Sequence, residues 1–166
     1  NPDSHTLRSG VTTAVDAGGS GWRNFPEFRD RVMKTSAVRV LAWINIVGRG
    51  MDGRKAEQSH EDMDPIATSR AIAANRDWIV GIKTAHYDGP EWIAVERAVE
   101  AGKLAGKPVM VDFGTFRPER PFEELVLQKL RSGDIYTHLY LNSVPLLDES
   151  GKLRSFLLQA RKRGVL

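Results

Sequence analysis

The sequence predicts an α/β protein built on a parallel β-sheet, and three observations carry that prediction. Short apolar, β-branched runs recur along the chain, nearly continuous in the way that strands covered on both faces require. Segments of helical period lie between them. The runs begin near residues 11, 38, 78, 108 and 134, a repeat close to the roughly 31 residues of one unit in an eight-unit β/α barrel of about 250 residues.

The expected strands are residues 11–16, 38–47, 78–83, 108–113 and 134–138, with a sixth starting at Val165. The first ends in a glycine-rich turn at Gly18, Gly19 and Gly21. Helices are expected over 26–34, where Phe28, Val32 and Met33 share a stripe, and over 65–76, where Pro65 suits a first turn. A further helix over 91–105 places Trp92, Val95, Ala98 and Val99 at helical spacing, and Gly106 supplies its stop. Segments 118–130 and 151–163 complete the set, while polar, aperiodic 51–63 reads as a long loop on the carboxyl side of the strands. Strand–helix alternation with right-handed crossovers gives α/β.

Composition bounds the rest. The 166 residues carry 24 Lys and Arg against 21 Asp and Glu, with 41% hydrophobic residues, which excludes disordered and collagen-like classes. Cysteine is absent, so disulfides and thiolate metal sites are excluded and the compartment is left open on that ground. No apolar run reaches the roughly 18 residues of a membrane helix, and the N-terminus does not read as a signal peptide, so the expectation is a cytoplasmic protein with no membrane partner. Basic residues are scattered without interleaved aromatics, so no nucleic-acid partner is expected. Both ends read as interrupted, and residues 1–166 are expected to form a single partial domain. Length alone leaves two folds open: a complete five-stranded doubly wound sheet, or part of a larger barrel.

Four chemically capable residues fall where strand carboxyl ends converge: Asp16, Lys83, Asp112 and His138. A desolvated lysine there becomes a neutral nucleophilic amine, able to form a Schiff base or take up carbon dioxide as a carbamate. A neutral imidazole is a metal ligand. A carboxylate inside an apolar run needs a cation, an arginine or an amide cap. Each also has a plain structural reading: a snorkelling lysine, a hydrogen-bonded core histidine, a capped aspartate. The turn from Asp16 to Gly21 resembles a phosphate cradle, but the dinucleotide pattern fails at Asn24, and a tight turn is the commoner explanation. His86 follows Lys83 by three residues, whereas His5 and His60 sit in polar stretches and are expected to be solvated.

Taken together, Gly10-Val-Thr-Thr-Ala-Val-Asp16, Gly81-Ile-Lys83, Pro108-Val-Met-Val-Asp112 and Gly133-Asp-Ile-Tyr-Thr-His138 resemble the amidohydrolase superfamily. The likeness is greatest to its dihydroorotase-like and N-acyl-amino-acid deacetylase-like members, and it runs from about residue 7 to the end. The resemblance implies a (β/α)8 TIM barrel of the metal-dependent hydrolase type, of which this chain covers strands two to six and the start of strand seven. It implies one or two divalent metal ions, usually zinc, and hydrolysis of an amide, cyclic amide or ester by metal-activated water. Lys83 matches the bridging carboxylated lysine, and His138 the strand-six histidine. Asp112 stands where the family usually has a strand-five histidine, a departure that alters the site. The family's His-x-His and its proton-shuttling strand-eight aspartate have no counterpart in this chain, which is therefore expected to be inactive alone; zinc-dependent hydrolysis by it would contradict that.

Asp16, His86 and Arg117 are expected around a small-molecule substrate. Arg49, Arg54, Lys55, Arg117 and Arg120 in the loops are compatible with an anionic one, although solvated surface charge is the commoner explanation of such residues. Open strand edges imply a homo-oligomer or association with the rest of a barrel. Two other functions remain: a phosphate- or nucleotide-binding module using Gly18 to Gly21, and a degenerate barrel that has lost its metal.

Overall fold

The computed structural model describes residues 2–113 and 116–166. Five parallel strands form one sheet: β1 (Thr13–Gly21), β2 (Arg39–Asn45), β3 (Ile79–Ala85), β4 (Val109–Asp112) and β5 (Ile135–Tyr136). Their spatial order is β1-β2-β3-β4-β5. A doubly wound sheet reverses its strand order at a switch point, and this one has no reversal. With right-handed crossovers, sequential order puts every connecting helix on the same face, the arrangement of consecutive β/α-barrel units.

The helices are α1 (Asp3–Thr6), α2 (Phe25–Phe28), α3 (Pro65–Ala74), α4 (Ile93–Ala105), α5 (Phe122–Glu124) and α6 (Ser155–Lys162). The expected helices over 26–34 and 118–130 begin as α2 and α5 but widen into π-helical turns over Arg29–Met33 and Leu125–Lys129. Elsewhere Pro65 stands in the first turn of α3 and Gly106 follows α4, as expected. Asp64 accepts from the Ile66 and Ala67 N–H groups at 2.9 Å each ahead of Pro65, satisfying donors that a first turn otherwise leaves orphaned. Gly106, at φ +62°, ends α4 in the left-handed conformation. No helix among the described residues is long and apolar enough to cross a membrane.

The two faces of the sheet differ. Val40, Ala42, Ile44, Ile82, Val109 and Val111 are fully buried, with α3 packed on β2 and α4 on β3 and β4. Burying one such aliphatic side chain contributes about 1.5–3 kcal/mol. On the opposite face Val15 is 47% exposed, and Leu41, Trp43, Met110 and Ile135 are only half-buried. Trp43 lies across Gly81, where any Cβ would collide with its ring.

β1 differs from its expected bounds. It begins two residues later and continues through the glycines to Gly21, with an irregularity in its register after Ala17. The glycines therefore belong to the strand end rather than to a strand-to-helix turn, because only residues without Cβ fit there: at Gly21 a side chain would meet the Val47 carbonyl. Beyond β5, Leu166 donates to the Asp134 carbonyl and accepts from the Tyr136 N–H, both at 2.9 Å. That is the bonding of a parallel neighbour to Ile135, as expected of a strand starting at Val165.

Candidate strand-end active site

Lys83 is the fifth residue of β3 and 3% exposed. Its stem runs beneath Gly18, whose φ of +99° and missing Cβ make room for it. The ammonium Nζ lies 2.9 Å from Asp112 Oδ2 at the end of β4, and 3.8 Å from Met110 Sδ. The second Asp112 oxygen, Oδ1, lies 2.7 Å from His138 Nε2, just past β5. Three residues expected to converge do so, with the buried Asp112 carboxylate between a buried lysine and a half-exposed histidine. Because a carboxylate only accepts, His138 must carry its shared proton on Nε2.

His138 and His86 have φ of 62° and 53° and are the two non-glycine residues with positive φ among those described. Such conformations cost of order 1–3 kcal/mol and cluster at functional sites. The His86 N–H donates to the Asp112 carbonyl at 3.0 Å, but its ring turns away to Glu57 Oε1, 2.9 Å from Nδ1.

The other expected residues stand apart. Asp16 lies within β1, where its Oδ2 accepts from the Gly18 and Gly19 N–H groups at 3.1 and 2.8 Å. Gly21 N–H is held by Asn24 Oδ1 at 2.8 Å. The amides that a phosphate cradle needs are therefore taken up by side chains, one of them an anion, and the geometry does not support nucleotide or phosphate binding there. Arg117 is exposed on the loop after β4. His60, expected in solvent, bonds the Tyr87 hydroxyl at 2.6 Å, and that hydroxyl donates to Glu91 Oε2 at 2.6 Å. Burial and the Glu91 carboxylate push the Tyr87 phenol up to about 12.

Arg120, expected to be a solvated loop charge, is 1% exposed. It lies over the rings of Phe113, Tyr87 and Trp92 with its guanidinium carbon 4.9, 5.4 and 5.8 Å from their centroids. Its place between two prolines in a polar loop gives no sequence signal of burial. Burial lowers its pKa from the ordinary arginine value.

Among the described residues no cluster of three His, Cys, Asp or Glu is placed to hold a metal ion. Asp112 and His138 are two such groups, and catalytic zinc takes three protein ligands plus water. A carbamate on Lys83 would add oxygen donors, so the donor chemistry fits zinc with Lys83 carboxylated and not with Lys83 as the ammonium.

No family model matches the chain. It is 33% identical over 138 residues to a deacetylase of Brucella anthropi, covering 79% of this chain and 34% of that protein. A deacetylase of Enterococcus faecalis is 27% identical, covering 99% of this chain and 46% of its own. Among solved structures, an adenine deaminase superposes with a TM-score of 0.88 over 99% of this chain and 46% of its own, at 26% identity. A dihydroorotase superposes with a TM-score of 0.74 over 93% of this chain and 44% of its own, also at 26% identity. The chain belongs to the amidohydrolase superfamily. This amidohydrolase chain spans between a third and just under half of the curated relatives it matches. Lys83, Asp112 and His138 lie at or just past the carboxyl ends of its strands, the end at which β/α barrels carry their chemistry.

Proposed function

We propose that the chain forms strands two to six of an eight-stranded β/α barrel, whose whole protein hydrolyses a small-molecule amide, cyclic amide or ester. The observation that carries this reading is the Asp112 carboxylate between Lys83 Nζ and His138 Nε2 at the strand carboxyl ends. The names of the similar proteins — deacetylase, adenine deaminase, dihydroorotase — support hydrolysis of C–N bonds other than peptide bonds. The half-exposed apolar sheet face becomes the barrel interior when further strands, or a second copy, cover it.

His138, Asp112 and Lys83 as its carbamate are the groups that would hold one or two zinc ions. A zinc ion supplies a lowered pKa for bound water and polarisation of the scissile carbonyl. Without the ion, Asp112 Oδ1 holds the His138 ring through Nε2. Addition of carbon dioxide to the Lys83 nitrogen forms the N–C bond, releases two of the three ammonium protons and leaves one N–H, so one positive charge is replaced by one negative. Asp112 then faces an anion instead of its present partner, and two buried anions are not tolerated without a cation. The carbamate is therefore coupled to metal uptake in this chain, more tightly than a neutral strand-five histidine would require.

The test adds zinc and carbon-13 bicarbonate to the chain and reads the carbamate carbon by NMR. The signal is expected with zinc, absent without it, and absent in Lys83→Met. An unmodified amine in the presence of zinc overturns the carbamate-bridged version. It would favour a second reading, a non-catalytic barrel in which the Lys83–Asp112 ion pair closes the site, as that pair's geometry already allows.

A further inference from the structure

We propose that Arg120 is a positioning residue: it locks the chain just beyond β3 to the chain just beyond β4, and so fixes Asp112 relative to Lys83. The assignment of these two residues to a site rests on the reading above; the clamp itself rests on geometry.

A buried guanidinium ordinarily has a carboxylate partner. Among the described residues none lies within ion-pair distance of Arg120, and its Nε has no hydrogen-bond partner. What it does hold is specific. Nη2 donates to the Tyr87 carbonyl at 3.0 Å. Its guanidinium carbon lies 4.9 Å from the ring centroid of Phe113, the residue following Asp112, and 5.4 Å from that of Tyr87, the residue following His86. His86 N–H in turn donates to the Asp112 carbonyl at 3.0 Å, the last backbone bond joining the two strand ends among the described residues. A guanidinium can donate to a carbonyl through one nitrogen while its carbon lies close to several rings, whereas the lysine ammonium is a single point charge. The loop that presents Arg120 is closed by its own N–H, bonded to the Arg117 carbonyl at 3.0 Å. Three aromatic faces offset the desolvated charge. A methionine would occupy most of the same space without that cost, but it could not hold the Tyr87 carbonyl.

The test is residue-resolved amide hydrogen exchange on the chain with Arg120→Lys and Arg120→Met. The His86 N–H is expected to exchange about tenfold faster in both variants, the size of effect that one lost buried hydrogen bond implies. The Ile82 N–H bonds the Pro108 carbonyl at the opposite end of the same two strands and is expected to hold its protection. Ile72→Ala, which truncates a buried side chain of α3, is the comparison for general loss of stability. It should accelerate His86 and Ile82 alike. If the Arg120 variants also accelerate both alike, Arg120 is ordinary core and the proposal is overturned. Arg120→Lys keeps the charge and keeps the test alive should Arg120→Met not fold. Zinc retention by the unsubstituted chain reports separately on the site: its loss would remove the site reading while His86 exchange still decides the clamp.

Discussion

Two buried aspartates at opposite ends of the sheet show what separates a structural carboxylate from a chemical one. Asp134, at the amino end of β5, is fully buried and saturated. It accepts from Val109 N–H at 2.8 Å and from the Arg131 N–H, Nε and Nη2 at 2.8, 2.9 and 2.8 Å. All of its partners are permanent donors, since arginine keeps its proton. Asp112, at the carboxyl end of β4, is nearly as buried but faces a lysine and a half-exposed histidine, both able to lose protons. Burial is common to both; the freedom of the partners to change charge is not. Asp16 is a third case, half-exposed and spent on two backbone amides.

The comparison is broken most sharply by deleting each carboxylate. Asp134→Ala strands Arg131 and the Val109 amide and should lower stability by about 3–5 kcal/mol in urea denaturation. It should leave zinc retention by the folded fraction intact. Asp112→Ala leaves the buried Lys83 ammonium unpaired and should cost about 3 kcal/mol. The double variant Lys83→Met, Asp112→Leu should recover most of that loss, because removing both charges removes their desolvation penalty. Failure of the double variant to recover would make the pair a stabilising device like Asp134. Asp16→Ala should cost about 1 kcal/mol, the size of a lost cap, and leave zinc retention unchanged.

The smallest effect is electrostatic. Tyr136 is raised above the ordinary phenol value, first by burial and then by the nearby charge of Asp112. Tyr87 is raised to about 12, by burial before the Glu91 carboxylate. A raised phenol contributes stability that is complete below the unfolded value of about 10 and is lost as pH climbs through the folded one, so for Tyr87 the window is about 10 to 12. Phenolate absorbance should show both groups ionising late. Asp112→Asn should bring Tyr136 down slightly, whereas Asp134→Asn should not.

Much of this arrangement was legible in the sequence because barrel units write themselves as local patterns. Strand positions follow from apolar runs, and Lys83, Asp112 and His138 follow from polar residues interrupting or ending those runs. What was not legible depends on approach between distant segments. Asp16 looked equivalent to Asp112, but its own glycine amides reach it first. Arg120 looked solvated because only the packing of Phe113, Tyr87 and Trp92 around it buries the charge. The π-helical turns after α2 and α5 leave no periodic signature that distinguishes them from ordinary helix.

The proposed function stands on Lys83, Asp112 and His138 acting together as a metal-holding hydrolytic site. The most direct measurement is zinc retained after gel filtration in bicarbonate buffer by the unsubstituted chain and by the Asp112→Ala, His138→Ala and Asp16→Ala variants. Bound zinc is expected in the unsubstituted chain and in Asp16→Ala, and its loss in Asp112→Ala and His138→Ala. No zinc in the unsubstituted chain, or equal retention by all four proteins, would contradict the proposed function.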